Sequence, residues 1–279
     1  MAQSSAPASS EKKKTLRNLA YVQDGHERQK LDLYLPLKAK GPAPLVIWIH
    51  GGAWLGGSKE QCPALLLVER GFAVASVNYR LSQHAVFPAQ IQDCKAAVRW
   101  LRAHAQEYNL DPDRFGAWGA SAGGHLVALL GTSGDVKAFD QGANLGFSSR
   151  VQAVVDFFGP ADLLKMGAQS GDAAAMQHNA ADSPESKLIG GALQEHPDRA
   201  KKASPITYVT KDDAPMLLVH GDADPLVPHQ QSIDLQKALK DAGVEAELYI
   251  VKGGGHGNGF GPEVRSKVVA FLEKHLKRP

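Results

Sequence analysis

The chain has 279 residues, 43% hydrophobic and 22% charged, with a formal net charge of +2. That is the composition of one ordinary globular α/β domain with a sizeable core. Lys and Arg are scattered rather than striped, and no apolar run reaches the roughly 20 residues of a membrane span, so neither nucleic acid nor membrane is expected as a partner. The two cysteines, Cys62 and Cys94, belong to no Cys-x-x-Cys or Cys/His cluster and read as free buried thiols, with a disulfide unsupported.

Residues 1–16 read as a disordered tail, Ala/Ser/Pro-rich and then Lys-rich. They lack the apolar core of a signal peptide, and Ala2–Pro7 suits both a native tail and the residues left after signal removal, so the compartment stays open between secreted, periplasmic and cytoplasmic. From residue 17 to 279 the sequence reads as a single domain. Leu16–Val22 and Lys30–Leu35 are expected as two short strands turning at Asp24-Gly25. Leu45–Ile49 is continuously apolar, as a strand buried on both faces must be, and it ends in His50-Gly51-Gly52-Ala53-Trp54. Lys59–Arg70 reads as a helix stopped by Gly71, and Phe72–Val77 as the next strand. After Pro88, the residues Ile91, Cys94, Val98 and Leu101 fall on one helical face. Asp111-Pro112-Asp113 turns the chain into a strand at Arg114–Trp118.

That strand runs into Gly119-Ala120-Ser121-Ala122-Gly123 and then a helix-compatible run, His125–Leu130. Strand, Gly-x-Ser-x-Gly, helix is the context of a nucleophile elbow, where small neighbours let strand and helix cross closely. Val151–Phe158 is another strand. Residues 161–203 lack a sustained period and read as a cap-like insertion of short helices. Pro215–His220 and Val244–Val251 are strands, with helices at His229–Ala242 and Glu263–Leu276. Strands alternating with helices predict a mostly parallel sheet covered on both faces.

In such a sheet chemistry collects at the strands' C-terminal ends. Ser121, Asp224 and His256 follow there in the order Ser…Asp…His. Imidazole is the base that a Ser hydroxyl needs near neutral pH, and a carboxylate orients the ring. Asp222 competes with Asp224 for that role and is read instead as a loop-binding aspartate. His50, His125 and His220 are read as structural, and so is the pair Tyr79-Arg80. Trp54 is a candidate substrate-binding residue, the alternative being simple packing under its loop. Neither metal-ligand spacing nor a dinucleotide-binding Gly-x-Gly-x-x-Gly is found, so no cofactor is expected.

From Leu31 to Leu276 the chain resembles serine carboxylesterases of the α/β-hydrolase superfamily. The His50–Trp54 and Gly119–His125 blocks resemble hormone-sensitive-lipase-like esterases. Ser183-Pro184-Glu185-Ser186-Lys187-Leu188-Ile189-Gly190-Gly191 and Ala203–Val209 resemble the compact Bacteroidetes-type feruloyl and acetyl-xylan esterases. The resemblance implies an oxyanion hole from the amides of Gly52, Ala53 and Ala122, and an acyl-enzyme route for short-chain, aryl or sugar esters. Ala120, where hormone-sensitive-lipase relatives usually carry an acid, and the short polar segment Met1–Arg17 favour the compact group and an open site. Two alternatives stand beside the esterase: a serine peptidase of the prolyl-oligopeptidase type, expected to carry a further large domain, and a non-catalytic binding protein on the same fold.

Overall fold

The computed structural model describes residues 13–37, 41–171 and 175–277. Eight strands form one sheet: β1 (Lys13–Ala20), β2 (Lys30–Pro36), β3 (Ala43–Ile49), β4 (Ala73–Val77), β5 (Leu110–Ala120), β6 (Ala153–Phe157), β7 (Met216–Gly221) and β8 (Ala246–Val251). Their order across the sheet is β1-β2-β4-β3-β5-β6-β7-β8. β2 pairs antiparallel with β1 and β4, and every other pairing is parallel. Lys13–Leu16, read from the sequence as the end of the tail, belong to β1. The rest of the tail and the residues bearing on a leader lie outside the described residues, apart from Lys13 and Lys14.

The apolar runs are explained by two cores, one on each face of the sheet. In β3, Leu45, Ile47 and Ile49 face one core, while Val46 and Trp48 face the other. The first core is closed by α1 (Ala89–Ala103), α2 (Ala122–Thr132) and α6 (Gln230–Asp241), through residues such as Ile91, Leu126 and Leu235. The second is closed by α7 (Pro262–Leu276) and a short 3₁₀ helix, Pro63–Arg70, through Val268, Leu272 and Leu67. The helix expected from Lys59 starts only at Pro63, whose fixed φ suits a first helical turn, and stops as expected where Gly71 adopts φ +86°.

Asp111-Pro112-Asp113 is not a turn before β5 but a bulge within it. Ala43 pairs with Leu110 and Leu45 with Phe115, leaving four residues of β5 opposite one of β3. Asp111 holds the bulge by accepting from the Asp113 amide at 3.1 Å and from Arg114 Nε at 2.8 Å. The insertion contains α3 (Met166–Gln169), α4 (Pro184–Ile189) and α5 (Pro197–Ala203). Gln231 of α6 clamps its start, accepting from the amides of Ala161 and Asp162, both at 2.7 Å.

Two glycines set the crossing of β5 and α2. A Cβ on Gly119 would lie 2.2 Å from the Gly123 carbonyl oxygen, and one on Gly123 would lie 2.1 Å from the Ile49 carbonyl oxygen. No side chain fits either gap. Ser121 between them holds φ 57°, ψ −123°, a costly conformation for a residue with a Cβ. Just below, Asp156 of β6 is fully buried and accepts from the Gly159 amide at 2.9 Å through Oδ1, while among the described residues Oδ2 has no partner.

Burial pushes the Asp156 carboxyl up to about 7, opposed by the Gly159 hydrogen bond. An unfolded Asp titrates near 3.9, so between roughly pH 4 and 7 the native state binds the extra proton and stability falls as pH rises. The difference is worth at most about 4 kcal/mol. Asp156→Asn removes this dependence. Its melting temperature relative to the parent protein is therefore expected to climb between pH 5 and pH 8. A constant difference across that range would show that the carboxyl titrates normally.

Candidate active site

The nucleophile candidate sits where β5 ends. The Ser121 amide donates to the Phe157 carbonyl at 2.8 Å, and its own carbonyl accepts from the His125 amide at 2.9 Å. The amide of Ala122 is the first of α2, where a helix leaves its N–H groups without internal partners.

The base and acid candidates arrive on two loops that are laced together. After β7, Ala223 donates its amide to the Gly254 carbonyl at 2.9 Å, and Asp222 accepts from the Gly253 amide at 2.6 Å. Asp222 is exposed and touches the loop backbone, whereas the Asp224 side chain is fully buried. Asp224 Oδ2 accepts from His256 Nδ1 at 2.7 Å. Oδ1 accepts from the amides of Leu226 and Val227 at 2.8 and 3.0 Å. Burial alone would raise this carboxyl, but the hydrogen bonds from His220, His256 and Val227 outweigh it and hold it well below the usual carboxylate range. A carboxylate can only accept, so Nδ1 of His256 carries the proton and Nε2 is left free to act as a base. The Phe158 ring lies 4.4 Å from the imidazole, centroid to centroid.

Three further histidines surround the site in fixed roles. His220 Nε2 lies 2.9 Å from the Val227 carbonyl and 3.3 Å from Asp224 Oδ2, and both of those can only accept. It therefore donates there, while Nδ1 accepts from Ser232 Oγ at 2.7 Å. His50 accepts from Arg28 Nη2 at 3.1 Å and gives Nδ1–H to the Gly51 carbonyl at 2.7 Å. Burial and the Arg28 charge lower its pKa to about 4, so it is neutral near pH 7. His125 gives Nε2–H to the Ala203 carbonyl at 2.6 Å and accepts from Trp54 Nε1 at 3.2 Å, and burial likewise lowers it to about 4.

These contacts seat the oxyanion-loop candidates. Tyr79 donates its hydroxyl to the His50 carbonyl at 3.0 Å and stacks on the His50 ring. Arg80, beside it, is paired with Asp93 at 2.7 Å. The Gly52 carbonyl is turned back to accept from the amides of Leu55 and Gly56 at 2.9 and 3.0 Å. Ala53 and Trp54 take φ +52° and +57°, and among the described residues the amides of Gly52 and Ala53 meet no acceptor. Trp54 is 2% exposed, so it packs beneath its loop, and it also forms part of the site wall.

Ser121, His256, Gly52, Ala53, Ala122 and Trp54 all line one cavity of about 340 Å³. Asp224 stands behind it, against His256. The insertion adds Met176, His178, Pro184 and Glu185 to the wall. No role follows for His178 from the sequence, because its segment has no period and no motif. Pro184 and Glu185 lie in the Ser-Pro-Glu block that carries the family resemblance, which is the one signal that pointed to this wall. Cys62 and Cys94 are free thiols, and neither is among the residues that line this cavity.

The BD-FAE family model matches residues 31–239, a span that includes Ser121 and Asp224. Esterase LipQ of Mycobacterium tuberculosis is 34% identical over 232 residues, covering 82% of this chain and 53% of LipQ. The chain spans about half the length of the curated relatives that it matches. Among solved structures, a truncated carbohydrate esterase from gut microbiota superposes with TM-score 0.87 at 37% identity, covering 98% of this chain and all of that one. An acetyl ester-xyloside bifunctional hydrolase of Caldicellulosiruptor lactoaceticus superposes with TM-score 0.68 at 28% identity, covering 88% of this chain and 85% of that one. With three quarters of its length matched by one family model and its sheet shared with these structures, the chain belongs to the BD-FAE family and has the α/β-hydrolase fold.

Proposed function

We propose that this chain is a serine carboxylesterase that works through an acyl-enzyme, with Ser121, His256 and Asp224 as its triad. The observation that carries this reading is the buried Asp224 carboxylate 2.7 Å from His256 Nδ1, in a chain whose Ser121 and His256 line one cavity. His256 Nε2 takes the Ser121 proton as Oγ attacks the ester carbonyl, and Asp224 stabilises the resulting imidazolium. The amides of Gly52, Ala53 and Ala122 meet the developing oxyanion. The imidazolium then protonates the leaving alcohol, and water repeats the sequence to release the acid.

The esterase names of the relatives support the reaction class. The gut carbohydrate esterase, aligned end to end with this chain, supports an ester carried by a sugar. A cavity of about 340 Å³ is at the small end of ligand pockets, which run from about 300 to 1,000 Å³, and supports a short acyl group. A peptidase reading has no comparable support; hydrolysis of a p-nitrophenyl ester beside a peptide anilide separates the two.

Ser121→Ala is expected to cut ester hydrolysis on the order of 10⁴-fold or more, without unfolding the protein. A burst of acylation surviving in that variant would remove Ser121 as nucleophile.

Asp224→Asn and Asp222→Asn test the acid. Asp224→Asn favours the wrong His256 tautomer and should lower kcat on the order of 10⁴-fold, with Asp222→Asn costing under tenfold. The reverse ranking in two folded proteins would exchange their roles.

Acyl chain length gives the third measurement. In a p-nitrophenyl ester series, kcat/KM is expected to peak between acetyl and butyryl, with no jump in rate on emulsified substrate. A maximum at twelve carbons or beyond, with activation on emulsion, would make the protein a lipase.

A further inference from the structure

The cavity wall is largely apolar, built from Trp54, Phe158, Met176, Leu226 and Val227 among others. An acyl pocket needs nothing more. Yet the insertion places an imidazole and a carboxylate in that wall, and each is only 2% exposed. His178 Nδ1 lies 2.9 Å from Glu185 Oε1. Among the described residues, His178 Nε2 and Glu185 Oε2 are both buried and both lack a hydrogen-bond partner.

The contact between the two side chains ties the segment around His178 to α4. It does not account for the two atoms left over. Buried polar atoms without partners are costly and rare, so each calls for an explanation, and a ligand that completes them is one. The pair is also held firmly. Glu185 follows Pro184 in the first turn of α4, whose cap is closed by Ser183 Oγ accepting from the Ser186 amide at 3.1 Å. Ser186 Oγ in turn donates to the Ala180 carbonyl at 2.8 Å, in the same segment as His178.

Resting on the esterase reading above, with its sugar-borne ester, we propose that His178 and Glu185 form a subsite for the hydroxyl groups of the alcohol half of the ester, so that these two side chains set the preference for a hydroxylated ring over an alkyl or aryl alcohol. With its Nδ1 proton given to Glu185, a neutral imidazole offers Nε2 as an acceptor, and Oε2 is a second acceptor. Two neighbouring ring hydroxyls satisfy both. In the imidazolium form Nε2 donates instead, and a hydroxyl still suits it, because it both donates and accepts. An alkyl chain or an unsubstituted aryl ring would leave both atoms orphaned, which is how a polar site rejects an analogue lacking the hydroxyl. A carboxylate beside Glu185 would be repelled, so uronic acid esters are disfavoured.

The test compares a methyl xyloside carrying one acetyl group with p-nitrophenyl acetate. Glu185→Gln, which exchanges an acceptor for a donor at nearly constant shape, and His178→Asn are each expected to lower the ratio of the two kcat/KM values at least tenfold, chiefly through KM for the xyloside. Unesterified methyl xyloside should inhibit p-nitrophenyl acetate hydrolysis competitively in the parent protein, with Ki rising at least tenfold in both variants. A ratio within twofold of the parent's in folded variants would overturn the subsite. If neither variant folds, the parent protein decides: competitive inhibition by methyl xyloside but not by glucuronate or ferulate supports the proposal, and its absence overturns it. Turnover of p-nitrophenyl acetate without that inhibition removes the subsite and keeps the esterase. No turnover of either ester overturns the esterase reading itself.

Discussion

The structure depends on how closely the end of β3, the end of β5 and the start of α2 approach one another. At Gly119 and Gly123 a Cβ would come within 2.2 Å of a backbone carbonyl oxygen, so the backbones themselves are in contact there. That contact brings the His50–Trp54 loop, which leaves β3, beside the first turn of α2. It also forces Ser121 into a backbone conformation that a residue with a side chain adopts only under constraint. Hydrogen bonds from the Ser121 amide to Phe157 and from the His125 amide to Ser121 lock the conformation from both sides. The nucleophile candidate and the amides that would stabilise its product charge are thus placed by one packing event.

Histidine chemistry around the site is settled by partners that can only donate or only accept. Arg28 makes His50 Nε2 an acceptor, and the Val227 carbonyl with Asp224 makes His220 Nε2 a donor. Trp54 makes His125 Nδ1 an acceptor. Asp224 makes His256 Nδ1 a donor, and His256, alone of these four, lines the cavity and stands 18% exposed in its side chain. The three buried rings brace loops; the fourth is the candidate to move a proton. The same residue type serves both ends because tautomer and burial, not identity, decide its chemistry.

The insertion between β6 and β7 completes the cavity that the sheet ends begin. Its helices are too short to stand alone, and they are held instead by side chains: the amides of Ala161 and Asp162 donate to Gln231 of α6, and the Leu163 amide donates to Ser204 Oγ at the end of α5. Such a wall can carry polar groups into an apolar pocket without disturbing the core beneath. His178 and Glu185 are the groups it carries.

What the sequence determined by itself is what repeats or punctuates locally. Continuous apolar runs marked the parallel strands, because a strand between two cores must be apolar on both sides. Gly119-x-Ser121-x-Gly123 marked the elbow, because only small residues survive that crossing. The order Ser121, Asp224, His256 followed from positions at strand ends. Other features had no local signature. Asp111-Pro112-Asp113 reads as a turn, and only pairing with β3 makes it a bulge. Lys13, Lys14 and Thr15 look like tail, and only pairing with β2 makes them strand. Asp222 and Asp224 are equivalent by composition, and burial with four hydrogen-bond donors separates them. The partnership of His178 with Glu185 is a contact across a segment without period, so tertiary packing alone decided it.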